Sequence, residues 1–138
     1  MTPKAQFIHS SEVPFIWHKI KPLIDKALVY SNGEMLTVDI LSSLLNKELF
    51  LFIGTEDDDE INSALIADLV DYPRKRVFRI LTWSTKSGHD FKLWINLLNV
   101  VEDFARNAGC TSLEAWVRKG LVKRLKWDHE RSVVTKKL

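Results

Sequence analysis

The side chains able to do chemistry are few and scattered. The four histidines are His9, His18, His89 and His129. No two stand at the i,i+4 or finger-like spacing that brings ligands onto one metal ion. They read as surface or loop residues, and no metal site is expected. Cys110 is the only cysteine, so there is no internal disulfide and no multi-cysteine zinc site. At a helix–strand junction it reads as packing rather than as a nucleophile. No G-x-S-x-G elbow and no Walker loop occurs. The acidic run "EDDDE" (56–60) lacks calcium-loop spacing and reads as a solvated hairpin tip. Glu102 and Asp103 fall on the polar side of a helix. Glu114 falls in a strand near Trp116 and receives no catalytic role.

Two basic patches remain, "YPRKR" (72–76) and "RKGLVKRLK" (118–126). Both could meet phosphates, but no aromatics interleave for base stacking and acidic runs balance them. A nucleic-acid partner is not expected. The "YPRKR" patch is a better candidate for protein contact. Tyr72 can supply a rigid aromatic anchor, and Arg74 and Arg76, with Lys75 between them, can grip carboxylates. The competing reading is that these charges only keep an exposed turn soluble. The tryptophans Trp17, Trp83, Trp94, Trp116 and Trp127 read as core and rim packing.

The chain has 138 residues, 46% hydrophobic and 28% charged, with a formal charge of +2. That suits one domain spanning 1–138 with a real core. The N-terminus lacks the apolar run of a signal peptide, and no stretch is long enough to span a bilayer. A soluble protein inside a cell or a particle is expected.

"AQFIH" reads as a first strand. Ser10 or Ser11 is expected to cap a helix with Pro14 in its first turn and with Phe15, Ile16, Ile20, Leu23, Ile24, Ala27 and Leu28 at helical spacing. Pro22 should bend or split it, and Asn32-Gly33 should stop it. Thr37 then caps a second helix, "VDILSSLLNK". Three strands follow as a meander, "ELFLFIGTE", "INSALIADLVDY" and "RVFRILTWST". Its second turn is Tyr72-Pro73-Arg74-Lys75. Phe91, Trp94, Ile95, Leu98, Val101, Phe104 and Ala105 form the apolar face of a long helix, which Gly109 ends in a left-handed conformation. "SLEAWV" is a strand, "GLVKRLK" a short helix and "RSVVTKK" a closing strand. The order is β-α-α-β-β-β-α-β-α-β, an α/β (α+β) fold.

The stretch "VEDFARNAGCTSLEAWVR" (101–118), together with that order, resembles the centre of GCN5-related N-acetyltransferases (GNATs). The resemblance covers nearly the whole chain in topology, and in wording about 76–125. It implies a mixed sheet flanked by helices. More narrowly, "VDYPRKRVFRIL" and "VEDFARNAGCTSLEAWVRKG" resemble small GNAT-like proteins of tailed bacteriophages. That implies a virion-associated or assembly role through protein contacts, in the virion or the host cytoplasm.

An active GNAT carries an R/Q-x-x-G-x-G/A loop after the fourth strand. Its backbone N–H groups and the following helix N-terminus hold the pyrophosphate of acetyl-CoA. Counting back from "AGC" puts the glycine positions near Lys92 and Trp94 and the basic one near His89. The stretch is "STKSGHDFKLWI", with one glycine, Gly88, and bulky Phe91 and Trp94 where small residues are wanted. A shifted loop would use Lys86, Ser87, Gly88 and His89. The family's tyrosine on the last helix, a proton donor to the leaving thiolate, is missing too: the tyrosines are Tyr30 and Tyr72. The resemblance thus implies the fold without its usual equipment, no catalytic residue and no bound cofactor. The alternative is an active N-acetyltransferase with a divergent loop. Acetyl-CoA would then lie between the fourth and fifth strands, and positioning with a backbone oxyanion contact would do most of the work.

Overall fold

The structure, a computed structural model, describes residues 4–29, 35–56, 60–86, 91–115, 126–128 and 134–138, with the side chains of 91–93 left aside. Its elements are β1 (Lys4–Ile8), α1 (Val13–Leu28), α2 (Thr37–Leu45), β2 (Phe50–Glu56), β3 (Glu60–Tyr72), β4 (Lys75–Thr85), α3 (Phe91–Asn107) and β5 (Ser112–Ala115). These reproduce the first eight members of the expected order. The strands form one sheet in the order β1-β2-β3-β4-β5. The first four are antiparallel neighbours, and β5 runs parallel to β4.

Alternation along the strands builds two cores. Leu51, Ile53, Ala64 and Ile66 face α1 and α2, where Val13, Ile20, Leu23, Ile24, Ile40 and Leu44 meet them. Phe52, Leu65, Ala67, Phe78 and Ile80 face α3, which supplies Leu97, Val101 and Ala105. On this second side four phenylalanine rings converge on Phe104.

 Phe7, Phe50, Phe52 and Phe78 each place a ring centroid 4.7–5.5 Å from that of Phe104, the spacing at which aromatic pairs attract beyond their burial.

The β3–β4 turn lies where expected. Tyr72 pairs with Lys75 across Pro73 and Arg74. One extra residue interrupts this hairpin. Ala67 pairs with Ile80 and Ile66 with Thr82, so Leu81 is a bulge on β4. The bulge lets Ile80 and Trp83 both face α3 although they stand three apart, while Leu81 packs on the α1/α2 side.

The helix ends depart from expectation. Neither Ser10 nor Ser11 caps α1. The N-cap is Glu12, with no side-chain bond, and Pro14 occupies the first turn as expected. Ser11 is engaged by His9 instead, its N–H donating to Nδ1 at 3.1 Å. Pro22 does not split α1. Ile20, Leu23 and Ile24 are buried on either side of it and hold both halves to the sheet, while Pro22 itself is exposed. Thr37 is the first residue of α2 rather than its cap. The cap is Leu36, whose N–H donates to Asp39 Oδ2 at 2.8 Å. Thr37 donates its hydroxyl to Asp25 of α1, tying the two helices together.

Gly109 ends α3 at φ +83°. Cys110 N–H donates to the Ala105 carbonyl and Gly109 N–H to that of Arg106, the bond pair of a Schellman stop. The expected halt at Asn32-Gly33, most of the expected helix at 120–126 and the first part of the closing strand lie outside the described residues. The described end of that strand, Val134–Lys137, carries no regular structure.

Two stability outcomes follow. Gly109→Ala should cost about 1 kcal/mol by urea denaturation, from backbone strain alone, since an added Cβ meets nothing within 4 Å. The Asp25 carboxyl is held below its ordinary 3.8, first by the Thr37 hydroxyl and then by Lys21. A depressed carboxylate contributes stability that is present above 3.8 and lost as pH falls through the lowered value. The stability gap between the wild type and Thr37→Val should therefore be open at neutral pH and narrow below pH 3.8.

Candidate functional site

The candidate site is the seam where β4 hands over to α3, with β5 alongside. β4 pairs with β5 from Val77↔Ser112 to Ile80↔Ala115 and runs on to Thr85. Trp83, near the end of β4, stacks on Trp94 in the first turns of α3. Their ring centroids are 4.2 Å apart and their planes 29° from parallel. This stack clamps the start of α3 onto the sheet. Both indole N–H groups are buried and find no hydrogen-bond partner among the described residues. The hydroxyl of Ser63, on the same face of β3, is also buried and without one.

Of the four loop residues expected to meet a cofactor, Lys86 is described, and it is engaged elsewhere. Its N–H donates to the Asn62 carbonyl at 2.8 Å, and its ammonium pairs with Glu60 at 3.0 Å. Ser87, Gly88 and His89 lie outside the described residues. Lys26 of α1 donates to the Thr85 carbonyl at 2.8 Å, so the end of β4 is tied to the helix layer as well.

The turn residues are exposed apart from half-buried Tyr72, but several are engaged by the chain itself. The Tyr72 hydroxyl donates to Glu114 on β5, 3.2 Å from each carboxylate oxygen. The Lys75 ammonium lies 5.7 Å from the centroid of the Tyr72 ring. Arg76 pairs with Asp71 at 2.7 Å and donates to the Ala108 carbonyl at 2.9 Å. Arg74 is exposed. Beside Tyr72, Arg79 grips Asp68 with two hydrogen bonds of 3.1 and 2.8 Å. The Asp68–Arg79–Glu114 row thus crosses β3, β4 and β5 on one face.

Sequence reasoning missed this row, although counting outward from the turn pairs Asp68 with Arg79. Tyr72 and Glu114 are 42 positions apart, and no local signal joins them. Cys110 lines a shallow cleft of about 330 Å³ with Glu102, Arg106, Leu113 and Trp127. Burial pushes its thiol above the ordinary value, and the nearby Arg76 only partly offsets this. Low thiolate content fits packing rather than nucleophilic attack. No cluster of metal-ligating side chains occurs among the described residues, and no helix there is long and apolar enough to cross a membrane.

No protein-family model and no curated protein matches the chain. Solved structures do. An aminoglycoside acetyltransferase from an uncultured soil metagenomic sample, solved with sisomicin, aligns with a TM-score of 0.74 at 12% identity, over 99% of this chain and 95% of its own. Ribosomal-protein-alanine N-acetyltransferase from Brucella melitensis biovar Abortus aligns at 0.74 and 12%, over 99% of each chain. A GNAT family acetyltransferase from Staphylococcus aureus aligns at 0.67 and 16%, over all of both chains. The fold is that of the GNAT acetyltransferases. Such identities speak for the fold, and chemistry has to be argued from the site.

Within this GNAT-like fold the Asp68–Arg79 pair is mostly buried, with side chains 18% and 22% exposed. Asp68→Ala should cost about 2 kcal/mol, between the limits for exposed and buried pairs. Asp71→Ala, which removes the exposed partner of Arg76, should cost under about 1 kcal/mol. Denaturant midpoints of the two variants check the contrast.

Proposed function

We propose that this protein is a GNAT-fold domain that has lost its grip on acyl-CoA and works through protein contacts. The observation that carries this reading is the Trp83–Trp94 stack, which fills the start of α3 with two large rings. A pyrophosphate grip needs backbone N–H groups that a phosphate can approach closely, and "STKSGHDF" offers one glycine for that task. The engagement of Lys86 by Glu60 supports the same reading, because it draws that cation away from a phosphate. The resemblance of "VDYPRKRVFRIL" to small proteins of tailed phages supports virion proteins as the partner class. At the "YPRKR" turn Arg74 is the group best presented for such contact, since Tyr72 and Arg76 already hold the fold together.

A second reading, an active N-acetyltransferase, is favoured by the unpartnered donors at Trp83 and Trp94 and by the Ser63 hydroxyl. Buried polar groups without partners are uncommon, and a cofactor carrying amide and phosphate oxygens could satisfy them. Calorimetric titration of the full chain with acetyl-CoA separates the two readings. The expected outcome is no saturable heat at micromolar cofactor and no cofactor-dependent rise in thermal midpoint. Saturable micromolar binding overturns the leading reading. Mass spectrometry of purified virions tests the partner class.

A further inference from the structure

Helix α3 rests on two kinds of floor. Across β1, β2, β3 and β4 the register sets Phe7, Phe52, Leu65 and Trp83 in one row, and all four belong to the core that α3 covers. The next row toward the end of β4 is Ala5, Gly54, Ser63 and Thr85, which offers a helix little apolar surface. α3 starts at this end, where Trp94 stacks on Trp83. It finishes over the rings around Phe104, where Val101 and Ala105 are buried and the stop at Gly109 fixes its last turn. In the first turns Trp94 is held by its ring contact, and Ile95 beside it is 42% exposed. Docking these turns traps three donors. The fully buried Ser63 hydroxyl and the Nε1–H groups of Trp83 and Trp94 find no partner among the described residues. A buried donor left unmade gives up its bond to water and gains none in return.

We propose that the start of α3, Phe91 to Asn96, is a flap hinged at Leu97 that opens from the sheet while the rest of the helix stays docked. Leu97 is fully buried and keeps the remainder in place. Opening separates the two indoles and returns all three donors to water, which offsets part of the apolar burial given up. The later turns keep their own contacts around Phe104 throughout. The flap therefore opens at lower free energy than the whole chain unfolds, as a local unit distinct from the core. Open, it bares Trp83 and the row that holds Ser63, so access to this face of the sheet is controlled by one indole. The device does not depend on whether acetyl-CoA binds.

Amide hydrogen exchange of the full chain, read by NMR across low denaturant concentrations, tests this. The N–H groups of Ile95–Leu98 bond back into the first turn. They should exchange at least about tenfold faster than those of Val101–Ala105. Their rates should also depend less steeply on denaturant, because flap opening exposes less surface than unfolding. Ser63→Ala removes one trapped donor from β3 and leaves the helix sequence intact. It should slow both groups by about fivefold or more, because Ser63 reaches water in the flap-open state as it does in the unfolded chain. Ordinary fraying of a helix end, in which Ser63 stays covered, would slow Val101–Ala105 alone, and that result overturns the proposal. So does uniform protection along α3, or a Ser63→Ala variant that slows neither group.

Discussion

The pairing of β3 with β4 governs where nearly every other group can stand. Ten residue pairs run from Ser63↔Thr85 to Tyr72↔Lys75, and both helical layers read their positions from them. In a regular ladder, residues three apart face opposite sides. The bulge at Leu81 breaks that rule once, which turns Trp83 toward α3 and keeps Leu81 on the other core. Were the same residues paired in a regular ladder, Trp83 would face α1, and Trp94 would lose its stacking partner. The form of the seam is thus set by one position in the hairpin rather than by the loop that follows it.

At the seam the chain's own bonds join the sheet to both helix layers. Lys26 ties the end of β4 to α1, Asn62 and Glu60 tie down Lys86, and the indole stack joins α3 to the sheet. Each contact is modest alone. Together they join three layers at the end of β4. The cost is visible in the buried indole N–H groups, each worth roughly 1–3 kcal/mol when left unmade.

Much of this was legible in the sequence, for local reasons. Pro73 between two alternating segments fixed the hairpin turn. Gly109 after an apolar helical stripe fixed the stop of α3. The details that failed were those in which a second element competes for the same atoms. Thr37 has the chemistry of a cap, but Asp25 claims its hydroxyl. Ser11 is held by His9. Tyr72 and Arg76 look outward when the turn is read alone, but Glu114 and the Ala108 carbonyl lie within their reach. Glu114 and Ala108 stand far along the chain from Tyr72 and Arg76, where periodicity carries no information about contact.

The indole stack has a spectroscopic consequence. Two identical chromophores with centroids 4.2 Å apart and planes inclined by 29° share their electronic excitations, and the inclination makes the coupled pair chiral. Their coupled circular dichroism then adds a contribution from the seam to the backbone signal of the sheet and helices. Anything that pries α3 from the end of β4 would extinguish that contribution while the rest of the protein stays folded.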